Sequence, residues 1–85
     1  MPKKTAVTPG DLYVMLDREF RRRQSQDCPT CYIQLPYRVD RHDALSSNWE
    51  VILPPPCRFG CRALLEQLVA EFSLLYDLAS QRDAP

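Results

Sequence analysis

The apolar residues of this chain follow helical spacing in its first and last thirds and alternate with polar residues between them. In the first third, Thr8 is suited to cap a helix and Pro9 to occupy its first turn. Apolar side chains then recur at every fourth position, at Leu12, Leu16 and Phe20. This pattern predicts a first helix over residues 9–24.

After Cys31 the apolar period changes to two, which is typical of half-buried strands. The two alternating sets are Ile33, Leu35, Tyr37 and Val39, and then Trp49, Val51 and Leu53. We expect these segments to pair as an antiparallel hairpin. Pro36 cannot donate a ladder hydrogen bond, so the first strand should lie at an edge, and Pro54–Pro56 should end the second.

The last third carries the strongest helical pattern, a broad apolar face interrupted by acidic and polar residues. Its members are Leu64, Leu65, Leu68, Val69, Phe72, Leu75, Tyr76 and Ala79. The predicted fold is a small α+β domain over residues 1–85: an N-terminal helix, an antiparallel hairpin and a long C-terminal helix. Residues 1–7 and 81–85 are expected to fray.

Composition adds two constraints. A chain of 85 residues buries only about 60–65% of its unfolded surface, so its core needs help from a metal or disulfides. Eleven basic residues balance eleven acidic ones, which removes any whole-protein charge argument for nucleic acid or membrane binding. The N-terminal segment has no apolar run, so we expect no secretion signal. The longest apolar segment carries Glu66, Glu71 and Asp77, so we expect no membrane span and a cytoplasmic protein.

Four cysteines provide the clearest candidate chemistry. Cys28, Cys31, Cys57 and Cys61 form the pattern C-x2-C-x25-C-x3-C. Each short pair can supply two sulfurs about 2.3 Å from a tetrahedral Zn²⁺ ion. The second pair lies at the head of the predicted last helix, where the helix N-terminus favours the negative charge of thiolates. The sequence therefore predicts one structural Zn²⁺ ion held by these four residues.

This layout resembles the treble-clef class of zinc modules, in which a C-P-x-C knuckle precedes a hairpin and a ligand-bearing helix. The resemblance spans about Cys28 to Leu78. It implies that Cys28 and Cys31 are knuckle ligands and that Cys57 and Cys61 are ligands from the first turn of the helix. The second pair is C-x3-C, and Gly60 is the residue that can supply the backbone freedom this spacing requires. A zinc-ribbon arrangement of the same ligands is the alternative.

Other uses of four cysteines stay open from the sequence. They are a thioredoxin-like dithiol at Cys28 and Cys31, with thiol oxidoreductase activity, a pair of disulfides, and an iron–sulfur cluster.

The single histidine, His42, lies at the predicted hairpin tip. With four thiolates filling a tetrahedron and no phosphate-binding loop or catalytic triad apparent, we expect neither an enzyme nor a small-molecule substrate.

Two surfaces suggest partners. Arg18, Arg21, Arg22 and Arg58 form a candidate nucleic-acid-binding patch. On the last helix, Ala70, Leu74 and Leu78 form a second apolar strip without an evident internal partner, which suggests a docking surface or a dimer. The function expected is a structural-zinc adaptor module that acts through protein–protein contacts, either with another protein or as a homodimer. The alternative is a nucleic-acid-binding regulator.

Overall fold

The computed structural model describes residues 4–26, 28, 31–40 and 47–79. His42, the predicted hairpin tip and the predicted frayed segment 81–85 lie outside these residues. Two helices and four short strands follow one another along the described chain: β1 (Thr5–Val7), α1 (Pro9–Arg23), β2 (Tyr37–Arg38), β3 (Trp49–Glu50), α2 (Cys61–Leu75) and β4 (Tyr76–Leu78). The predicted α+β class is confirmed.

Helix α1 begins and ends close to the predicted positions. The Thr8 hydroxyl accepts a hydrogen bond from the backbone N–H of Asp11 at 3.1 Å, and Pro9 opens the first turn. Three arginines in the last turn complement the negative end of the helix dipole. The buried side chains of α1 are Leu12, Leu16 and Phe20, so the four-residue spacing correctly identified its inner face.

Helix α2 begins at Cys61 and ends at Leu75, earlier than its apolar pattern indicated. The chain turns to an extended conformation at Tyr76, and β4 pairs in parallel with β1. Tyr76 and Leu78 are separated by the polar Asp77, which is the alternation of a strand. Tyr76 also fits the helical spacing of the preceding apolar residues, so the two patterns overlap there. The prediction of a helical face continuing to Ala79 was wrong, because pairing with β1 outweighs the local helical preference of this segment.

The pairing of β1 with β4 also corrects the prediction for the N-terminus. Thr5 lies opposite Tyr76 and Val7 opposite Leu78, and the backbone N–H of Ala79 donates to the Val7 carbonyl at 2.8 Å. Residues 5–7 were expected to fray, yet their backbone groups are satisfied by a strand far away in the sequence. Three residues are too few for a periodic pattern to reveal.

The hairpin is present, with shorter paired strands than the alternation suggested. Tyr37 lies opposite Glu50 and Arg38 opposite Trp49 in antiparallel register. Trp49 and Val51 are buried as predicted. In the first strand Ile33 is buried and Val39 is half-buried, in agreement with the prediction. Leu35 and Tyr37 are exposed instead, and Pro36 between them is buried.

The core is built from the inner faces of both helices, the hairpin and β4. Its buried members are Leu12, Leu16, Phe20, Ile33, Trp49, Val51, Cys61, Leu65, Leu68 and Leu78. Cys61 thus belongs to the core and to the cysteine cluster at once. The core and the candidate metal centre are therefore continuous.

Side chains of the hairpin region bind the backbone around β4. The Asn48 amide donates to the Leu78 carbonyl at 3.0 Å and accepts from the Leu78 N–H at 2.8 Å. The Trp49 indole N–H donates to the Tyr76 carbonyl at 3.0 Å, and Arg38 donates to the Ala79 carbonyl. The bonds to Tyr76 and Leu78 satisfy the edge of β4 that faces away from β1, and the Arg38 bond satisfies a carbonyl just beyond the strand.

Neither helix in the described part of the chain is long and apolar enough to cross a membrane.

Candidate metal centre

The fold brings the four cysteines together, although the two pairs are far apart in the sequence. The Sγ atoms of Cys28, Cys31, Cys57 and Cys61 all lie within 4.8 Å of one another. None of the four forms a disulfide, and the Cys28 and Cys61 sulfurs are 3.4 Å apart. That separation is much longer than the disulfide bond length of about 2.05 Å.

These distances suit one tetrahedral metal ion. Four sulfurs about 2.3 Å from a central ion would lie about 3.8 Å from one another. The observed upper limit of 4.8 Å and the 3.4 Å contact bracket that value. Four sulfur donors also form a soft ligand set, which favours Zn²⁺ and iron–sulfur centres over hard cations. The four residues can therefore hold one metal ion.

Each pair is presented by a different piece of backbone. Cys28 follows the end of α1, and its N–H donates to the Ser25 carbonyl at 3.2 Å. Cys57 precedes a turn closed by the Gly60 N–H, which donates to the Cys57 carbonyl at 3.2 Å. Cys61 is the first residue of α2. The expectation that both Cys57 and Cys61 lie in the first turn of the helix was therefore wrong for Cys57.

Gly60 connects the second pair by a left-handed backbone conformation. Its φ of 75° and ψ of 20° make it the sole residue with positive φ within the described ranges. A side chain disfavours this conformation, and glycine adopts it freely. The conformation ends the Cys57 turn and directs the chain into α2, so the suggestion that Gly60 accommodates C-x3-C agrees with the geometry.

The environment of Cys57 favours its negatively charged form. Backbone N–H groups of Cys61 and Phe59 hydrogen-bond to the Cys57 sulfur and lower the pKa of its thiol. Donors directed at a sulfur stabilise the thiolate more than the thiol. Because the thiolate is the metal-binding form, the turn prepares Cys57 as a ligand.

Cys31 and Cys61 are shifted the other way. A hydrogen bond with the Cys28 thiol, with burial, raises the pKa of Cys31 to about 12. Burial raises the pKa of the Cys61 thiol. Thiols this close share protons and do not all ionise unaided, whereas a divalent cation compensates their charge and releases the protons.

Gln24 was not identified by the sequence reasoning and proves to contact the cysteine cluster. It is the C-cap residue of α1. Its side-chain amide donates to the Cys31 carbonyl at 3.0 Å and to the Cys61 sulfur at 3.7 Å. The one available clue was its place between a helix and Cys28, because nothing in the apolar period distinguishes it.

One side of the cluster is accessible from solvent. A cavity of ≈ 320 Å³ is lined by Cys31 and Cys57 together with Tyr32, Gln34 and Pro54–Pro56. Cys61, in contrast, is only 1% exposed. An ion can therefore reach the cluster from the side of Cys31 and Cys57, while Cys61 closes it against the core.

Several arginines predicted to form one basic patch are paired with acidic neighbours. Arg21 contacts Asp17 at 3.0 Å, and Arg22 contacts Glu19 at 2.7 Å. The Arg58 guanidinium lies 5.0 Å from the centre of the Phe59 ring. Arg18 is exposed on α1. The charges of Arg21 and Arg22 are thus locally balanced, and nucleic-acid binding by this set stays a prediction.

The predicted apolar strip of α2 is only partly present. Ala70 is exposed and Leu74 is 75% exposed. Leu78 lies in β4, is 3% exposed and belongs to the core, so its assignment to the strip was wrong. The neighbouring Leu75 is 56% exposed. The exposed apolar surface at the end of α2 consists of Ala70, Leu74 and Leu75.

Comparison of the chain with protein-family models, with curated proteins and with solved structures finds no match.

Proposed function

We propose that this chain is a structural-zinc module in which one Zn²⁺ ion, bound by Cys28, Cys31, Cys57 and Cys61, joins the end of α1 to the start of α2. The observation that carries the proposal is the convergence of four sulfurs within 4.8 Å. An ion at their centre would connect residues up to 33 positions apart, which a small core benefits from most.

The ligand set supports a structural role and not a catalytic one. Catalytic zinc sites keep a position open for water and usually include histidine or carboxylate ligands. Here four thiolates complete the tetrahedron. The finer interpretation is a treble-clef-like module, and its support is the order of a cysteine knuckle, a hairpin and a helix that begins at a ligand. The zinc-ribbon arrangement is its alternative.

Elemental analysis of the purified protein tests the metal. We expect one zinc per chain and, after exchange for Co²⁺, the absorption bands of a tetrahedral thiolate site. Iron with sulfide would instead indicate a cluster. A metal-free protein with a redox-active Cys28–Cys31 pair would contradict the proposal and favour the thiol oxidoreductase.

We further propose that the module acts through protein–protein contact made by the exposed apolar surface of α2, with a second copy of this chain as the partner. Leu74 and Leu75 are more than half exposed at the same end of one helix. Large apolar side chains gathered in this way are typical of interaction sites. An isologous dimer requires one self-complementary patch and no second protein.

Sedimentation of the zinc-loaded protein tests this contact. We expect a dimer that Leu74→Glu converts to a monomer without loss of folded structure. Gln67→Glu, at an exposed polar position of the same helix, is the matched control and should leave the dimer intact. A monomer at every concentration would contradict self-association.

Nucleic-acid binding through Arg18, Arg21, Arg22 and Arg58 is the alternative, and the acidic partners of Arg21 and Arg22 weigh against it. Binding of RNA and DNA oligonucleotides at low salt, where phosphate contacts are strongest, tests it directly.

A further inference from the structure

Gln24 is the residue at which helix α1 meets the cysteine cluster. Its backbone N–H donates to the Phe20 carbonyl at 2.7 Å, which ties it to the last turn of the helix. Phe20 is itself buried in the core. The position of Gln24 is therefore determined by the helix and the core, independently of any metal.

Its side chain reaches both halves of the cluster. The amide nitrogen lies 3.0 Å from the carbonyl oxygen of Cys31 and 3.7 Å from the sulfur of Cys61. An amide NH₂ has two hydrogens, which is enough to serve both acceptors. Because a carbonyl oxygen and a thiolate both need donors, the reversed amide orientation would place oxygen against two acceptors and lose both bonds.

The Cys61 sulfur needs such a donor more than an exposed ligand would. Cys61 is 1% exposed, so water cannot solvate the charge that its sulfur acquires when a metal binds. Hydrogen bonds from outside the ligand set orient metal ligands and tune the charge that they carry. Gln24 donates to this sulfur from a partly buried position between the two helices.

We propose that Gln24 is a positioning residue of the metal centre: its amide holds the Cys61 sulfur and the Cys31 backbone in the arrangement that binds the ion, and stabilises the thiolate of Cys61. This inference rests on the proposed zinc site and deepens it. It also makes the docking of α1 part of metal binding, since the donor belongs to the end of that helix.

Two substitutions separate the donor from the packing of the side chain. Gln24→Met keeps a similar volume and removes both hydrogen bonds. Gln24→Glu keeps the shape, cannot donate when ionised, and adds a negative charge beside thiolates. Gln67→Met, at an exposed position of α2, is the matched control for a glutamine-to-methionine change in a helix.

The experiment measures Zn²⁺ affinity by competition with a chromophoric chelator, and the thiolate-to-metal charge-transfer band of the fully Co²⁺-loaded proteins. We expect Gln24→Met to weaken Zn²⁺ binding by about 10-fold and Gln24→Glu by about 100-fold, the range for lost outer hydrogen bonds to metal ligands. Both should shift the band to lower energy, because a sulfur without its donor gives up charge more readily. Gln67→Met should match wild type.

The band position distinguishes a positioning residue from a packing residue. A packing defect would lower the apparent affinity through folding yet leave the band of the loaded protein in place. An unshifted band with unchanged affinity in Gln24→Met would overturn the role of Gln24, and this variant decides the matter if Gln24→Glu does not fold. Wild-type protein without a thiolate band would instead overturn the zinc site itself.

Discussion

The two ends of this molecule are held together by different chemistry. At the cysteine end, four thiols meet within 4.8 Å with the Gln24 amide beside them. At the strand end, β1 pairs with β4, and Asn48 and Trp49 hydrogen-bond to the other edge of β4. The strand end satisfies its own backbone hydrogen-bonding groups. The four thiols at the cysteine end are fully stabilised only when they bind a cation.

The stability of only one of these two ends depends on a ligand. Backbone pairing and apolar burial at the strand end form from the chain alone. At the cysteine end, burial raises the pKa of Cys61, and the hydrogen bond with Cys28 raises that of Cys31 to about 12. A bound metal ion offsets these raised pKa values, because it displaces the protons from the thiols and balances the charge of the thiolates. Cys61 lies in the shared core, so the two ends should still unfold together.

The largest effect is expected from removing a metal ligand. Cys28→Ser, or chelation of zinc from wild-type protein, should unfold the chain, because structural zinc contributes roughly 10–16 kcal/mol against a net stability of about 5–15 kcal/mol. Circular dichroism measures the loss of helix. The single tryptophan, Trp49, reports the strand end by fluorescence.

We expect both signals to be lost together and to return in wild-type protein when zinc is added back. A folded thermal transition in Cys28→Ser would show that the structural-zinc proposal is wrong. Loss of helix with an unchanged Trp49 spectrum would show instead that the strand end folds independently.

The next largest effect is expected at Trp49. Its side chain is fully buried and its indole N–H donates to Tyr76. Trp49→Ala should lower the free energy of unfolding by about 3–5 kcal/mol through the cavity it leaves. Trp49→Phe keeps most of the packing and should lose about 1–3 kcal/mol for the unpaired carbonyl.

Urea unfolding of the zinc-loaded variants, followed by circular dichroism, measures both losses. The Co²⁺ spectrum is the control for the cysteine end and should not change in Trp49→Phe. Equal stability of the alanine and phenylalanine variants would contradict the contribution assigned to packing.

A smaller effect is expected at Gly60. An added methyl group meets no atom within 4 Å, so Gly60→Ala should lose only the energy of holding a side chain at φ 75°, about 1–2 kcal/mol. Gly10→Ala is a matched control because its methyl group also meets nothing. That substitution lies within α1 and should stabilise the protein by about 0.4–1 kcal/mol.

Thermal unfolding with excess zinc measures both glycine variants. Opposite signs are the expected result, since the two positions differ in backbone conformation and not in available space. Two shifts of the same sign would contradict the conformational role of Gly60.

The smallest effect is expected at the ion pair between the helices. Arg23 lies 3.0 Å from Glu71 on a surface open to solvent. Glu71→Gln should lower the free energy of unfolding by no more than about 1 kcal/mol. The difference from wild type should vanish near 1 M salt, where the screening length is about 3 Å. Glu66→Gln is the matched control, because it removes an exposed ion pair that lies within α2, the pair with Arg62 at 3.5 Å.

A structural feature could be predicted when the residues that cause it lie close together in the sequence. Both helices and the hairpin are repeated local patterns, and the inner faces at Leu12, Leu16 and Phe20 followed from spacing alone. The four cysteines were identified because metal ligands come in short pairs. Strand β1 has three residues and no pattern, so only its distant partner makes it a strand. Exposure of Leu35 depends on Pro36 packing inward, which alternation cannot anticipate.

Local sequence patterns were sufficient for the features whose cause lies within a few residues: the capped start of α1, the apolar faces, the hairpin and the paired cysteines. Long-range contacts in the folded chain were needed to end α2 before Tyr76, to place Leu78 in the core and to bring the Gln24 amide to Cys61. Each of these features depends on a partner far away in the sequence. Gln24 and Cys61 are 37 positions apart, and β4 is farther still from its partner β1. Local propensity carries no information about a partner brought near only when the chain has folded.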